Sequence, residues 1–290
     1  TMMIPKEDVI AVVTKDGYVK RVSLRSYTSS KDEETLVKEG EELICSMPVY
    51  DFEKEIYITT FTKNGMIKRS LLSEYKLQRY SKPVVNIKLK DDDIVTNVSY
   101  EPYKNVLITT NTGYSLIFNI DEVPVTGVKS GGVKSIKLKD DYVASGLLFD
   151  DSYEYLTIIT DKGTGKRIKL SDIERSVRAR RGSLIIREVK TNPHRVLRTF
   201  KLRNKEVLGI KNNNDIDLIK ITELPIMDKL STGSSIVKHI TDAFVVKTME
   251  NSTIYDIEVV EKEPVIKKEI SLEEIDNKML TIDDFLKDIK

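Results

Sequence analysis

The sequence predicts an all-β fold, a propeller-like ring of six blades, followed by an acidic tail. A phrase of twelve residues recurs six times: an apolar run that ends in Thr, a tight turn, and a second β-rich run. The steps between the turns are 48, 48, 50, 51 and 37 residues, and repeats of this size are typical of stacked supersecondary units. The turn residues are Gly17, Gly65, Gly113, Gly163, Asn214 and Asn251.

Each copy of the phrase is predicted to form strand, turn and strand. Gly supplies the positive φ of a tight turn, and Asn is the next best residue for it, which accounts for Asn214 and Asn251. Thr stands three residues before the turn at Thr14, Thr62, Thr110, Thr160 and Thr248. An apolar residue stands seven residues after it at Leu24, Leu72, Ile120, Leu170 and Ile221. These near-constant positions are interpreted as structural.

A second repeat lies between the hairpins. The run from Ile87 to Asp92 returns verbatim at residues 136–141, with looser relatives at 184–187 and 236–240. Each period of about 50 residues therefore holds about four short strands and has no room for a helix of useful length. Four strands per repeat favour a ring of blades that bury their faces against their neighbours.

The composition excludes several classes of protein. The chain has 290 residues, of which 40% are hydrophobic, enough for a substantial core. The single cysteine, Cys45, excludes an internal disulfide framework and fits a reducing compartment. No run approaches the roughly 20 apolar residues of a membrane span, and no targeting segment is apparent. We expect a soluble, cytoplasmic domain without membrane contact, and the opening Thr1-Met2-Met3 suggests a piece of a longer polypeptide.

The charge is unevenly distributed along the chain. The net charge is +1, but residues 256–290 hold 11 acidic and 6 basic residues, which leaves +6 for residues 1–255. Residues 161–205 hold 15 Lys and Arg against 4 Asp and Glu. Such a block favours a polyanionic partner, for which an acidic tail on the same chain competes.

We divide the chain into a ring of blades at residues 1–260 and an acidic, amphipathic tail at residues 261–290. Apolar residues from Leu272 to Ile289 recur at steps of three and four, and Ser271 with Glu274 has the spacing of a capping box. Either a short amphipathic helix or a loosely docked acidic segment explains this pattern.

A Lys-Arg pair follows the turn at the same two positions in three copies, as Lys20-Arg21, Lys68-Arg69 and Lys166-Arg167. A closed ring would set these pairs at equivalent heights on its rim, as a discontinuous track for the phosphates of duplex DNA. The alternative is that strand ends carry solubilising charge. Five arginines from Arg175 to Arg187 favour the DNA interpretation, because Arg binds phosphate bidentately. The predicted DNA-binding residues are Lys20, Arg21, Lys68, Arg69, Arg79, Lys82, Lys129, Lys134, Lys166, Arg167, Arg178, Arg180 and Arg181.

The repeat also resembles a known family. The run from Gly17 to Arg21, with Leu24 and Tyr27, returns as Gly65 to Arg69 with Leu72 and Tyr75. This phrase resembles the C-terminal domain of bacterial type IIA topoisomerase A subunits over roughly residues 5–260, strongly in four copies and weakly in two. The resemblance implies a six-bladed β-pinwheel, in which adjacent blades exchange strands and a basic rim binds and bends duplex DNA.

One departure from the family pattern narrows the resemblance. Gyrase A subunits carry the box Gln-Arg-Arg-Gly-Gly-Lys-Gly after the first Tyr of the repeat, but Thr-Ser-Ser-Lys-Asp-Glu-Glu stands here at residues 28–34. The chain is therefore more similar to the topoisomerase IV A subunits (ParC) of Gram-positive type, which favours bending and presentation of DNA over gyrase-type wrapping. The alternatives are a gyrase-type wrapping domain and a propeller scaffold for protein partners.

No catalytic site is predicted in this chain. The run Gly163 to Lys166 lacks the Ser or Thr that follows the Lys of a phosphate loop. His194 and His239 have no Cys partner near them in sequence, so no metal site is predicted. Arg79-Tyr80 has the order of the topoisomerase cleavage motif but lies between two strands. The resemblance places catalysis, with ATP and Mg²⁺, in a parent enzyme that acts on nucleoid DNA. The other parts of that enzyme are an ATPase B subunit, together with the rest of the A subunit.

Overall fold

The computed structural model describes residues 9–23, 41–49, 51–76 and 82–246, and the predicted all-β class is confirmed there. Five hairpins are formed by β1–β2 (Val9–Thr14, Tyr18–Ser23), β4–β5 (Tyr57–Thr62, Met66–Leu71), β8–β9 (Asn105–Thr110, Tyr114–Asn119), β12–β13 (Tyr155–Thr160, Thr164–Lys169) and β16–β17 (Val207–Asn212, Asp215–Lys220). Short 3₁₀ turns follow four of them, at Leu72–Tyr75, Ile120–Glu122, Leu170–Asp172 and Ile221–Glu223. In these ranges no helix is long and apolar enough to cross a membrane.

Each hairpin is flanked by strands from other parts of the chain. The inner strands are β3 (Leu43–Val49), β7 (Val95–Ser99), β11 (Val143–Phe149), β15 (Val196–Lys201) and β19 (Asp242–Val245). The outer strands are β6 (Val84–Val85), β10 (Val133–Lys134), β14 (Ser183–Leu184) and β18 (Ser234–Ser235). Inner strands lie side by side in chain order, which is the arrangement of a propeller-like ring.

Adjacent blades exchange strands. The sheet orders are β3-β1-β2-β6, β10-β5-β4-β7, β11-β8-β9-β14, β15-β12-β13-β18 and β17-β16-β19, and we number these sheets blade 1 to blade 5. The outer strand of each four-stranded blade comes from the chain segment that follows the hairpin of the next blade. Every blade from 1 to 4 is thus completed by the segment that leaves its neighbour, and this segment runs along the outer edge.

The predicted number of blades differs from what is observed. The described residues form five blades, not six, and blade 5 has three strands where the others have four. The sixth copy of the phrase, with its turn at Asn251, and the predicted tail at residues 261–290 lie outside the described residues. The predicted propeller-like architecture is therefore confirmed, but the predicted number of six blades is not observed in the part of the chain that is described.

The constant residues of the phrase close the hairpin turns. Gly163 has φ 71°, and a Cβ built on it would lie 2.2 Å from the carbonyl oxygen of Val237, so both the turn and the exchanged segment require glycine. The hydroxyl of Thr160 accepts a hydrogen bond from the backbone N–H of Thr164 at 3.3 Å. In the fifth hairpin the positive φ falls on Asn213, at 46°, and not on Asn214 as the spacing predicts, because the turn there has only two residues between paired positions.

The cores lie between neighbouring blades. One cluster joins Leu107 and Ile117 of blade 3 to Leu156 and Ile158 of blade 4, together with residues of the exchanged segment such as Ile185. Full burial of such side chains contributes about 1.5–3 kcal/mol each. Because the second repeat supplies these buried residues, it ties each exchanged segment firmly along the outer edge.

Candidate functional site

Lys68, one of the predicted DNA-binding residues, lies inside the fold. It is 1% exposed, and its ammonium group donates to Ser70 Oγ at 2.6 Å and to the carbonyl of Asn86 at 2.7 Å. Burial lowers the pKa of Lys68 to about 8, although the charge of Glu74 opposes the shift. The expectation that Lys68 lies exposed on the rim is therefore wrong.

Lys166 is buried in the same way and binds the exchanged segment. It is 1% exposed and donates to the carbonyls of Asp228 at 3.1 Å, Lys229 at 2.7 Å and Ser231 at 2.8 Å. Burial lowers its pKa to about 8. Since side chains alternate between the two faces of a strand, a Lys-Arg pair cannot present both cations on one face. In these copies the Lys turns inward.

The arginines and the first lysine of the pairs are engaged within the protein. Arg69 stacks on the ring of Tyr57 at 4.1 Å, and Arg167 donates from Nε to the carbonyl of Leu224 at 2.8 Å. Arg21 lies over the ring of Phe52 at 4.5 Å. Lys20 forms an ion pair with Glu41 and is largely buried. The expected exposed track of Lys-Arg pairs is thus corrected, because these cations contact aromatic rings, a carboxylate and backbone carbonyls within the protein.

The sequence holds one signal that these positions are interior. The third copy has Leu116 where the second and fourth have Lys68 and Lys166, and Leu116 is 0% exposed. A position that alternates between Lys and Leu in equivalent repeats is typical of a buried site with a polar partner for the Lys.

The arginine cluster divides into structural and exposed members. Arg178 donates to the carbonyls of Glu122 and Lys134 at 3.1 and 2.6 Å. Arg181 forms an ion pair with Asp141 at 2.9 Å, while Arg180 is exposed. The cluster is therefore not one phosphate-binding patch, because two of its members fasten the exchanged segment of one blade to the next.

Asp141 gives the Arg181 contact a pH dependence. Burial alone would raise its pKa, but hydrogen bonds from Arg181, Thr112 and the N–H of Lys139 outweigh burial and hold the pKa below the usual value. A depressed carboxyl pKa contributes stability above the unfolded value of about 3.9, and that stability is lost as the pH falls through the folded pKa.

We expect Asp141→Asn to reduce the free energy of unfolding by about 1–3 kcal/mol at pH 7, because Arg181 loses its charged partner. Urea unfolding at pH 7 and at pH 3 measures this. The difference between the variant and the original chain should shrink at pH 3. A constant difference at both values would contradict the assignment.

Four predicted residues do lie at the surface. Lys82, Lys129, Lys134 and Arg180 are exposed and belong to the segments around the outer strands. Arg79 lies outside the described residues. That the exposed four contact DNA stays a prediction.

The structure reveals a more regular set of cations that the sequence reasoning missed. One exposed cation stands four residues after the start of each outer strand, in four consecutive blades. Its side chain makes no hydrogen bond or ion pair with any residue that the structure describes. We call this set the outer cation track, and its members are Lys88, Lys137, Arg187 and Lys238.

Backbone contacts place the members of the track equivalently. The N–H of Lys88 donates to the carbonyl of Ser130 at 3.0 Å, that of Lys137 to Arg180 at 2.9 Å, and that of Arg187 to Ser231 at 3.3 Å. Each acceptor belongs to the exchanged segment of the next blade. Three of the cations therefore recur at the same place in blades 1 to 3 along the outer edge, beside the loops that carry Lys129 and Arg180, and Lys238 of blade 4 stands at the same offset from its outer strand.

The second repeat contained the signal for this track. A β-branched residue precedes the cation in each copy, as Ile87, Ile136, Ile186 and Val237. The first three are at most 2% exposed. A positive charge that recurs next to a buried apolar residue in every copy indicates a cation that is held rigidly and points outward. The Lys-Arg pairs are easier to see in the sequence, but they lie within strands.

Several relatives among curated proteins are described as the A subunit of DNA topoisomerase 4. The chain is 31% identical to the Bacillus subtilis protein over 80% of its own length and 36% of that protein. It is also 31% identical to the Staphylococcus epidermidis protein over 68% of its length and 31% of that protein. The chain spans about a third of the length of these relatives.

Solved structures agree on the fold. A crystal structure of the C-terminal domain of DNA topoisomerase IV matches with a TM-score of 0.71 and 31% identity, over 84% of this chain and 95% of that one. A structure of the DNA gyrase A C-terminal domain matches with a TM-score of 0.67 over 84% and 82% of the two chains, and at 20% identity it supports the fold alone.

A family profile matches the hairpins of the first four blades. The family described as DNA gyrase C-terminal domain, beta-propeller, matches residues 8–31, 57–99, 104–148 and 154–198. The first four hairpins and most of the strands around them lie in these ranges. Because the matched residues make up more than half of the sequence, the chain belongs to the family of the DNA gyrase C-terminal domain, beta-propeller.

Proposed function

We propose that this chain is a non-catalytic DNA-binding domain that bends a duplex segment along its outer edge and presents it to a cleavage core elsewhere in a topoisomerase IV A subunit. The observation that carries the proposal is the outer cation track. Lys88, Lys137, Arg187 and Lys238 recur at equivalent, exposed positions with no partner among the described residues. A repeated row of unpaired cations suits the repeated phosphates of a duplex.

The contacts of such a track are to phosphates. Phosphate contacts set the position of a duplex and carry no base information, so binding is largely independent of sequence. Bending 20–30 base pairs by 40–90° costs about 1–6 kcal/mol, which the release of counterions by several cations offsets at modest salt. A track that follows the outer edge of successive blades therefore favours a curved duplex over a straight one.

The parent enzyme supplies the rest of the activity in this proposal. The domain itself needs no cofactor, and an ATPase B subunit with ATP and Mg²⁺ drives strand passage in the complete heterotetramer. The domain then acts in the cytoplasm, on nucleoid DNA. The relatives of this chain that are named as A subunits of topoisomerase 4 support this assignment over a gyrase-type one.

A salt titration tests the DNA-binding proposal. The affinity of the chain for a duplex of about 40 base pairs should fall steeply with salt, with a slope of about −0.9 per phosphate contact in a plot of log K against log salt. Four contacts from the track alone predict a slope of about −3.6 or steeper. A slope near zero, together with binding to an acidic protein of equal size, would favour a scaffold for protein partners instead.

A further inference from the structure

One junction between blades carries more free cations than the others. Where blades 2 and 3 meet, the segment at residues 134–137 contacts the loop at residues 178–181, which leads into the outer strand of blade 3. Three exposed cations lie there, and their side chains make no hydrogen bond or ion pair with any residue that the structure describes. We call them the junction cluster, and its members are Lys134, Lys137 and Arg180.

Backbone hydrogen bonds place the members of the junction cluster beside one another. The N–H of Ala179 donates to the carbonyl of Ser135 at 2.9 Å, and the N–H of Lys137 donates to the carbonyl of Arg180 at 2.9 Å. The two segments therefore lie side by side. Since the side chains of Lys137 and Arg180 start from residues that are directly hydrogen-bonded, their charged ends can meet at one phosphate group.

Two arginines hold the backbone from which the lysines of the cluster project. Arg178 donates from Nη1 to the carbonyl of Lys134 at 2.6 Å. Arg181 donates from Nη1 to the carbonyl of Lys137 at 3.1 Å. Each arginine thus fixes the peptide group of one free lysine. Cations on a backbone that is already fixed lose less conformational freedom when they bind a phosphate.

Arg181 is itself held in one position. It forms an ion pair with Asp141 at 2.9 Å, and its guanidinium lies over the ring of Tyr114 at 3.7 Å. Asp141 in turn accepts hydrogen bonds from the hydroxyl of Thr112 at 2.6 Å and from the N–H of Lys139 at 2.8 Å. These contacts fix the guanidinium against the segment that carries the cluster, and they leave it engaged within the protein.

The equivalent junctions have fewer free cations. Between blades 1 and 2 the three equivalent positions hold one cation, and Lys129 lies next to them as a second; the residues are Val85, Lys88 and Ser130. Between blades 3 and 4 they also hold one cation; the residues are Leu184, Arg187 and Ser231. The nearby Lys229 donates to the carbonyl of Asp172 at 3.2 Å and is therefore engaged. Neither junction has an arginine at the positions of the two that hold the cluster, which are 128 and 131 in one and 229 and 232 in the other.

We propose that the junction cluster is the primary phosphate-binding site of this domain, at which a duplex is anchored first, and that Arg178 and Arg181 are its positioning residues. This inference rests on the proposed function and deepens it. Three neighbouring cations add their attraction at the same phosphates, which separated cations do not. Track cations follow on both sides of the cluster, so a duplex anchored there bends outward from this point in both directions.

A titration of the original chain with a short duplex of about 10 base pairs, followed by NMR amide shifts, tests the order of binding. The three junctions belong to one protein and serve as controls for one another. The amides of Lys137 and Arg180 should reach half of their shift at a duplex concentration about 2- to 30-fold lower than those of Arg187 and Ser231, the effect of two additional surface cations. The amide of Lys88 should fall between them.

The variant R181K tests the positioning role, because it keeps the charge and loses the planar fork of donors. It should weaken binding of a duplex of about 40 base pairs by about 2- to 13-fold, the effect of one more side chain that is ordered on binding. The slope of log K against log salt should stay the same, since no phosphate contact is lost. R180A should make that slope less negative by about 0.9. The exposed Arg203 provides the matched control, and R203K should leave both quantities unchanged.

The remaining outcomes separate this inference from the proposed function. Half-saturation at one duplex concentration for all three junctions, or first at Arg187, would overturn the primary site and leave DNA binding in place. A duplex that binds nowhere on the original chain would overturn both proposals. Full affinity in R181K, or a change in slope as large as that of R180A, would refute the positioning role. The titration uses no variant, so it decides the primary site even if R181K does not fold.

Discussion

Replacing Lys166 by Ala is expected to lower the free energy of unfolding by about 3 kcal/mol, the upper end of the range for leaving buried polar groups unsatisfied, because several acceptors lose their donor at once. The ammonium group supplies three hydrogen bonds to carbonyls of the exchanged segment that completes blade 4. Without it those carbonyls lose their donor, and a cavity replaces the side chain. Such carbonyls cost about 1–3 kcal/mol when left unsatisfied.

The matched control for this change is Lys169→Ala. Lys169 lies on the same strand but is exposed, so its loss should change stability by less than about 0.5 kcal/mol. Urea unfolding at pH 7 measures both, because a pKa of about 8 leaves Lys166 charged there. If Lys166→Ala keeps full stability and instead weakens DNA binding, the original expectation of an exposed Lys-Arg track would be restored.

Replacing all four members of the outer cation track by Ala should weaken duplex binding by about 4- to 1000-fold at moderate salt, if each surface contact is worth about 0.2–1 kcal/mol. The more diagnostic change is in salt dependence. Four lost phosphate contacts should make the slope of log K against log salt less negative by about 3.6, at about 0.9 per contact. Fluorescence anisotropy with a labelled duplex over a range of salt concentrations gives both quantities.

The control for this experiment is a variant that loses the same number of positive charges outside the outer cation track. Lys169, Lys205, Lys211 and Lys220 are also exposed, and replacing them by Ala lowers the net charge by the same amount. A track that binds phosphates directly should lose far more affinity than this control. Equal losses in the two variants would mean that overall charge, and not the position of the cations along the outer edge, drives binding.

The hairpins of the blades could be predicted from the sequence because their turns depend on interactions between residues close in the chain. The hairpin turns could be predicted because glycine at positive φ and a threonine hydroxyl three residues earlier act within a few residues of chain. The apolar residues after the turn, such as Leu72 and Ile120, could be predicted as core because they recur at one offset. The exchange of strands between blades was accessible only through resemblance, since no local signal says which strand a two-residue outer strand joins.

The site required the tertiary structure. Lys68 and Lys166 look like surface charge in the sequence, yet both are buried. Lys68 donates to Ser70 of its own strand and to the carbonyl of Asn86, while Lys166 donates to carbonyls of the exchanged segment up to 65 positions away. Arg178 and Arg181 look like two members of one basic cluster with Arg180, but contacts to distant segments separate them. Burial and partner choice are set by chain segments distant in sequence, so composition and spacing cannot reveal them.

The sequence by itself determined that this chain is a repeat of β-hairpins, that its turns and threonines are structural, and that its basic surplus seeks a polyanion. Only the tertiary structure decided which cations are exposed and can bind such a polyanion. Neighbouring residues on a strand face opposite sides, so the Lys side chain of a Lys-Arg pair points into the protein and is buried. The less conspicuous Lys88, Lys137, Arg187 and Lys238 follow buried anchors on exchanged segments, and this places them outward at the same position in each of four blades.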